Sequence, residues 1–294
     1  VRAALERVAK HAQLIVVPYA GDRAVAMRVA AETNVPTLVW GDPHALRKGQ
    51  VADVEWAAVD GAYAAGTMAV HAAVYRSAGI VMCENAEPTE MATRYRMAAA
   101  FVAGARAQSK LVRLFYTHVG EGGGPVSDAQ AKAATIRITL GGPMIKVPFE
   151  NPDPSGPDYL AERGAEFIFP LCGPAAPGVM RGVIRADAEH QFVGTVGDKA
   201  LINRENDLLT SILIHPELAI EQALRDFRAK RFGARNYRLE FANHGISLLR
   251  TGRTPGDAFE AAVHRRAQII HKLVQLPDVS TEEALKAYMA EQPS

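Results

Sequence analysis

Residues 162–182 read ERGAEFIFPLCGPAAPGVMRG, and this stretch decides the fold class. Its pattern predicts a buried strand at 167–169, a Pro/Gly loop, and a helix that begins near Gly178. A parallel strand that runs into a glycine-bearing loop and a helix presents free backbone N–H groups at the carboxyl edge of an α/β sheet. Small molecules bind at that edge, so we expect a ligand site here.

The same alternation of apolar strands and helical patterns extends in both directions from this stretch. Before it, strands are predicted at 14–19 and 37–42, with a helix over 22–32 between them. After it, strands are predicted at 191–196 and 210–214. Short strands that alternate with helices of about ten residues are typical of βαβ units. We therefore predict an α/β protein with parallel sheets.

The remaining elements follow from the same periodicities. A capping box formed by Ser127 and Gln130 predicts the start of helix 128–137. The other predicted helices and strands are helices 2–12, 61–75, 93–107, 157–164, 217–232, 255–274 and 280–290, and strands 79–83, 111–117, 144–148, 237–241 and 246–249.

Composition limits the function classes. The chain has 294 residues, 48% of them hydrophobic and 22% charged, which is enough for two lobes with a hydrophobic core. A net charge of +1 gives no electrostatic reason to expect a nucleic-acid partner. The densest basic cluster, over 225–235, is predicted to be a solvated helix face. The sequence contains neither an 18-residue apolar run nor a signal-peptide pattern.

The two cysteines, Cys83 and Cys172, allow two interpretations. They can form one disulfide, or they can be two buried thiols that act as small hydrophobic side chains. Nothing in the sequence demands the disulfide, so we expect the thiols.

Five segments, taken in chain order, resemble one known family. They are VEWAAVDGAYAAGTMA (54–69), RYRMAAAFVAGARA (94–107), GAEFIFPLCGPAAPGV (164–179), TSILIHPELAIEQAL (210–224) and NHGISLL (243–249). Together they are similar to the basic membrane protein (BMP) family. Its members are substrate-binding lipoproteins of ABC transporters, and many of them are nucleoside receptors.

The resemblance implies a type I periplasmic-binding-protein fold, in which two Rossmann-like lobes are joined by three crossovers and hold a ligand between them. We expect lobe 1 to comprise 1–107 plus about 210–238, and lobe 2 to comprise 108–209 plus about 239–294. The implied partners are a small-molecule ligand (a nucleoside, a base or a sugar-like molecule) and an ABC permease, without nucleic acid. The implied location is extracytoplasmic, either periplasmic or held at a membrane by a lipid anchor that is not present in this chain.

The chain also departs from the family. The ribose-binding aspartate of the family falls on Gly197, and the lysine after its T-S-x-x motif falls on Ile214. These departures leave the receptor interpretation intact but put the nucleoside in doubt. The family's opening strand is absent, which would leave a gap in the first sheet. Either residues precede Val1, or another segment fills the gap, such as strand 111–117 with the GEGGG loop that follows it.

Candidate ligand contacts lie at the ends of predicted elements or, for Trp56, at the position of an aromatic residue that the resemblance implies. Tyr19 and Trp56 could stack on a polar ring, although each could also be a core residue. Asp42 and Asp60 could accept hydrogen bonds from ligand hydroxyls, although a carboxylate at Asp60 is also a plausible N-cap. Asn243 lies in a turn that is either a ligand contact or simply solvated.

The loops after two later strands supply the other candidates. Gly173, Pro174 and Gly178 form the loop of the opening stretch, where a backbone without side chains can approach a ligand closely. Asp198 and Lys199 follow the next strand at the same edge of the sheet. For these five residues the alternative is an ordinary turn.

The sequence gives little evidence for an enzyme. The sequence has no G-x-S-x-G elbow and no H-E-x-x-H motif, so no catalytic residue, metal or cofactor is predicted. Cys172 could act as a nucleophile with His244 or His118 as its base, but a buried thiol is the expected state. The sequence favours a solute receptor, with a cytoplasmic ligand-binding regulator and an enzyme on the same fold as alternatives.

Overall fold

The computed structural model describes residues 1–17, 22–41, 46–83, 88–119, 136–138, 145–147, 164–172, 176, 191–195 and 208–291. Within these ranges, helices and strands alternate along the chain as the sequence predicts. The α/β fold class with parallel sheets is therefore confirmed.

The described helices are α1 (Arg2–Ala9), α2 (Arg23–Thr33), α3 (Ala58–Ala72), α4 (Pro88–Gln108), α5 (Pro216–Arg228), α6 (Gly256–Ile270) and α7 (Glu282–Ala290). The described strands are β1 (Ile15–Val16), β2 (Thr37–Trp40), β3 (Val51–Trp56), β4 (Ser77–Cys83), β5 (Arg113–Val119), β6 (Ile136–Ile138), β7 (Ile145–Val147), β8 (Phe167–Leu171), β9 (Gln191–Thr195), β10 (Leu208–Ile214), β11 (Tyr237–Leu239) and β12 (Ile246–Leu248).

Two elements differ from the sequence-based prediction. Strand β3 was not predicted, because Asp53 and Glu55 interrupt its apolar pattern, yet Asp53 is fully buried in the strand. The end of the helix predicted over 128–137 is instead strand β6, which pairs antiparallel with β7 through Ile136 and Val147. The GEGGG loop at 120–124 lies outside the described residues.

The chain divides into two compact units, each made of two separate segments. The first unit comprises Val1–Ala58 and Ile214–Ser247, and the second comprises Val59–Leu213 and Leu248–Ser294. The chain therefore passes from one unit to the other three times. The predicted lobe 1 included 59–107, which this division assigns to the second unit, because β4 pairs there with both β5 and β8.

The first unit contains a four-stranded sheet in the order β1-β2-β3-β11. All of its strand pairs are parallel. Leu38 and Trp40 belong to a hydrophobic cluster with Ala219 of α5, whereas Val39 and Val51 belong to a separate cluster with residues of α2. Since neighbouring residues of a strand face opposite sides, α2 and α5 cover opposite faces of the sheet.

The sheet of the first unit has no gap between β1 and β2. The N–H of Ile15 donates to the carbonyl oxygen of Pro36 at 2.9 Å, and the N–H of Val17 donates to that of Leu38 at 2.9 Å. Strand β5 pairs with β4 in the sheet of the second unit. The expectation of a gap, and the alternative that strand 111–117 fills it, are therefore both wrong.

A six-stranded sheet in the order β12-β10-β9-β8-β4-β5 belongs to the second unit, apart from Ile214 of β10 and Ile246 and Ser247 of β12, which are assigned to the first. Strand β8, predicted from the opening stretch, is buried at all five positions and lies between β4 and β9. The pairs from β10 through β5 are parallel. Strand β12 runs antiparallel to β10, because Leu249 donates to Ser211 while His215 donates to Gly245.

Helices α3 and α4 of the second unit pack backbone to backbone. A side chain on Gly66 would collide with the carbonyl group of Phe101, and one on Gly104 would collide with the carbonyl group of Tyr63. The hydroxyl of Thr67 donates to the carbonyl oxygen of Gly104 at 2.9 Å. The glycines of α3 and α4 therefore permit the close approach of the two helices.

The turn before β4 is held by a carboxylate from the start of β8. Glu166 accepts hydrogen bonds from the N–H groups of Val74 at 2.7 Å and Tyr75 at 2.8 Å. The hydroxyl of Ser77 donates to the carbonyl oxygen of Gly164 at 2.7 Å. These bonds fix the amino ends of the two neighbouring strands relative to each other.

A buried carboxylate organises the end of α5 in the first unit. Asp226 is 4% exposed and accepts from Arg231 at 3.3 Å, from Arg235 at 2.9 Å and from the hydroxyl of Tyr237 at 3.2 Å. Burial, and then the neighbouring Asp226 carboxylate, raises the pKa of Tyr237 to about 12.

We expect the stability of the first unit to depend on pH between about 10 and about 12. The folded state holds the Tyr237 proton more tightly than the unfolded state, so its contribution is complete below about pH 10 and is lost as pH rises toward about 12. Urea denaturation midpoints measured across this window should fall. Tyr237→Phe should remove this part of the pH dependence, and parallel falls in both proteins would contradict the assignment.

Candidate functional site

The carboxyl ends of β4 and β8 form the edge predicted from the opening stretch. The two strands are parallel and in register from Ala78 opposite Phe167 to Met82 opposite Leu171. The next residues, Cys83 and Cys172, therefore stand opposite each other where the strands end. Ligands of doubly wound α/β proteins bind at this edge, so it is the candidate site.

A disulfide joins these two residues. The Cα atoms of Cys83 and Cys172 are 4.7 Å apart, within the range that a disulfide spans, and both residues are at most 5% exposed. The expectation of two free thiols is wrong, because the strand register brings these distant residues face to face. Cys172 therefore has no free thiol to act as a nucleophile, which removes the alternative with His244 or His118 as base.

Arg94 of α4 lies beneath the same edge and was not identified from the sequence. It is 7% exposed, and its Nη1 donates to the carbonyl oxygens of Cys83 at 3.0 Å and Leu171 at 3.4 Å. Its Nη2 forms an ion pair with Glu90, four residues earlier in the helix. The guanidinium therefore satisfies carbonyl groups at the ends of both strands and fixes the shape of the edge. The Glu-x-x-x-Arg spacing was the signal available in the sequence.

The surroundings of the disulfide are apolar. Both cysteines belong to a buried cluster with Val81, Ile168 and Ala176, against which Phe115 packs. Ala176 follows Gly173 and Pro174 of the opening stretch and is helical, two residues before the helix start predicted near Gly178. A rigid apolar floor with a few fixed polar groups at its edge is typical of small-molecule sites.

The first unit has a comparable arginine. The Nη1 of Arg23, at the start of α2, donates at 2.8 Å to the carbonyl oxygen of Gly41, just after β2. Gly41 has φ of 84°, in the left-handed region that favours glycine. In each unit, an arginine near the start of a helix thus binds a carbonyl group at the carboxyl edge of a sheet.

Seven predicted ligand contacts lie outside the described residues. They follow the carboxyl ends of strands in the chain and are Tyr19, Asp42, Gly173, Pro174, Gly178, Asp198 and Lys199. Their role stays a prediction.

Three predicted contacts are described, all in segments that follow or end strands of the first sheet. Trp56 is the last residue of β3 and packs, partly buried, against the cluster beneath α5. Asp60 lies in the first turn of α3. The side chain of Asn243 accepts from the N–H groups of Glu240 at 3.0 Å and Gly245 at 2.9 Å, so it organises its own turn. Ligand contact by these residues stays a prediction.

Among the described residues, no group of three or more His, Cys, Asp or Glu side chains is placed to hold a metal ion. None of the described helices is long and apolar enough to cross a membrane.

Comparisons with known proteins identify the fold. No protein-family model matches the chain. No curated protein matches it either. Among solved structures, an ABC transporter solute-binding protein from Conexibacter woesei is 18% identical, with a TM-score of 0.68, over 94% of this chain and 83% of that one.

Two further structures are similar over most of their length. An ABC transporter solute-binding protein from Aeropyrum pernix is 14% identical, with a TM-score of 0.66, over 98% of this chain and 85% of that one. A transcriptional activator of the comK gene from Bacillus halodurans is 14% identical, with a TM-score of 0.66, over 94% and 84%. The chain therefore has the type I periplasmic-binding-protein fold predicted from the sequence.

Proposed function

We propose that this chain is the extracytoplasmic solute-binding protein of an ABC importer and that it binds a nucleoside or a related small polar ring. The fold is that of solute-binding proteins from two organisms. Ligand binding, without catalysis or a cofactor, is the role that such a fold and the candidate edge support. An ABC permease is the partner that this role requires.

The observation that carries the proposal is the disulfide between Cys83 and Cys172 at the candidate edge. Disulfides persist in oxidising compartments outside the cytoplasm and are rare within it. The disulfide therefore favours a periplasmic or membrane-anchored receptor. The resemblance to the BMP family points in the same direction and adds the nucleoside as the first ligand to test.

A second candidate function is a ligand-binding regulator in the cytoplasm. The similarity to the transcriptional activator from Bacillus halodurans favours it. Denaturation of the cells in acid, followed by alkylation of the unfolded protein and counting of the labelled thiols, separates the two, because both cysteines are buried in the folded protein. The receptor proposal requires both cysteines to be protected, and two labelled thiols would favour the regulator.

The receptor proposal predicts a ligand-dependent increase in Tm. A ligand that binds only the folded state at about 100 times its Kd stabilises it by about 2.7 kcal/mol. For a folded unit of about 150–250 residues, such as the second unit, that corresponds to a Tm increase of roughly 5–11 °C. A thermal-shift panel of nucleosides, bases and sugars measures the effect.

Variants test where the ligand binds. Tyr19→Ala and Asp198→Ala should abolish most of the ligand-dependent shift while leaving the Tm of the free protein nearly unchanged. Tyr75→Ala is the matched control, because Tyr75 is 70% exposed and precedes the amino end of β4. A panel without any shift would count against the receptor proposal, and an equal loss in the control would count against the assigned edge.

A further inference from the structure

The first unit carries a concentrated basic surface. Residues 225–235 contain five basic residues and one acidic residue, a net charge of +4. Arg47 and Lys48 raise the net charge of this surface to +6, so the rest of the chain carries −5 by difference from the total of +1. We call this surface the basic face; its cations are Arg47, Lys48, Arg225, Arg228, Lys230, Arg231 and Arg235.

The two segments of the basic face are held together by their backbones. The N–H of Gly49 donates to the carbonyl oxygen of Phe232 at 2.8 Å. Gly233 has φ of 73°, and a side chain there would collide with the carbonyl oxygen of Arg47. The turn that carries Arg47 and Lys48 is therefore fixed against the loop after α5. The basic face is thus more than the solvated helix face predicted from the sequence, because it extends over two segments of the chain.

A buried carboxylate orients two of the cations without neutralising the face. Arg231 and Arg235 bind the two oxygens of Asp226, yet their side chains remain 70% and 60% exposed. The guanidinium of Arg235 also lies 5.7 Å from the centre of the Tyr237 ring. One carboxylate shared by two guanidiniums leaves a net positive charge with fixed geometry, which suits the recognition of phosphate.

Other cations of the basic face are open to solvent. Arg47, Lys48 and Arg228 are exposed, and none of them forms an ion pair with a described residue. Arg225 pairs with the exposed Glu221, at 3.4 Å. Such a surface attracts an extended anion, and the attraction falls as salt is added.

The aromatic residues of this region argue against single-stranded nucleic acid as the anion. Phe232 and Tyr237 are at most 2% exposed, and Phe227 packs edge to face against Phe232. The basic face therefore offers none of these aromatic rings for stacking of bases. A compact group of cations without stacking platforms is better matched to a planar array of phosphates.

We propose that the basic face docks on an anionic phospholipid surface. Lys and Arg side chains that approach such a surface each contribute favourably to binding, and seven of them lie in this small region. The proposal goes beyond solute binding, and it is tested without any solute, so its failure would leave the receptor proposal untouched.

The test is co-sedimentation of the full chain with lipid vesicles at low salt. We expect binding to vesicles made of equal parts phosphatidylcholine and phosphatidylglycerol, and none to pure phosphatidylcholine. The triple variant Arg47→Glu, Lys48→Glu and Arg228→Glu should weaken binding on the order of 100-fold, because each cation near the surface contributes about 1 kcal/mol.

A matched triple variant separates the basic face from net charge. Arg7→Glu, Lys10→Glu and Arg28→Glu change the total charge by the same amount, and all three residues are exposed. Arg7 lies in α1, Lys10 directly follows it, and Arg28 lies in α2. Helix α2 covers the face of the sheet opposite to α5. This control should bind like the wild type, and both variants should keep its circular dichroism spectrum. Equal losses in both triple variants, equal binding to neutral vesicles, or tighter binding to duplex DNA than to anionic vesicles would each overturn the proposal.

Discussion

Replacing Gly104 with alanine is expected to lower the free energy of unfolding of the second unit by about 3 kcal/mol or more. The new Cβ atom would lie 2.8 Å from the carbonyl carbon of Tyr63 and 3.2 Å from the backbone nitrogen of Thr67. Both neighbours are backbone atoms of α3, so a rotation of a side chain cannot relieve the collision. The helices must separate, which costs packing energy along their whole contact.

The effect of Gly104→Ala is measured as a Tm decrease of roughly 6–12 °C in thermal denaturation. Gly66→Ala should behave similarly, because its Cβ atom would meet the carbonyl group of Phe101. Gly252→Ala is the control: no atom lies within 4 Å of its added Cβ atom. If Gly104→Ala and Gly252→Ala have the same Tm, the close contact between α3 and α4 is not present in solution.

Loss of the disulfide should be the other large effect. Cys83 and Cys172 are separated by 89 positions, and cross-linking a loop of that length removes enough entropy from the unfolded chain to stabilise the fold by about 4–5 kcal/mol. We therefore expect that Cys83→Ala combined with Cys172→Ala lowers the free energy of unfolding by about this amount. Urea denaturation of oxidised wild type and the double variant measures it.

Reduction of the wild type separates the cross-link from the packing of its sulfur atoms. Protein that is unfolded with a dithiol reductant and refolded in its presence keeps both sulfur atoms in the apolar cluster but lacks the bond. Its stability should lie close to that of the double variant. The reductant should not affect the double variant, and an oxidised wild type no more stable than its reduced form would refute the cross-link's contribution.

The alternation of strands and helices could be predicted because local patterns determine it. Strand β8 is apolar at every position and bounded by Gly164 and by a Pro/Gly loop, so its period and limits are evident in the sequence. Strand β3 could not be predicted in the same way, because Asp53 interrupts its apolar pattern and is nevertheless buried. Asp53 lies opposite Val39 of β2, and two positions along its own strand from Val51, and both valines pack with residues of α2. This arrangement depends on tertiary packing rather than on the local pattern.

The candidate site also combines features that follow from local sequence with features that depend on the tertiary structure. The Pro/Gly loop predicts a site at the carboxyl edge of a sheet from local pattern alone, because a strand, a loop and a helix are neighbours in sequence. The disulfide and the role of Arg94 could not be predicted without knowing the order of the strands. Strands β4 and β8 are adjacent in the sheet although more than 80 residues separate them in the chain. Only that adjacency brings Cys83 opposite Cys172 and both strand ends within reach of one guanidinium.

The division of each unit into two segments has a consequence for biosynthesis. Strand β3 is made first, but its partner β11 emerges only after the 180 residues of 57–236 have been translated. At about 5–20 residues per second, that delay is about 9–36 s. During this time the edge of β3 presents unpaired N–H and C=O groups that can join other chains. The second unit also waits for 248–294, so it is completed only after the first unit.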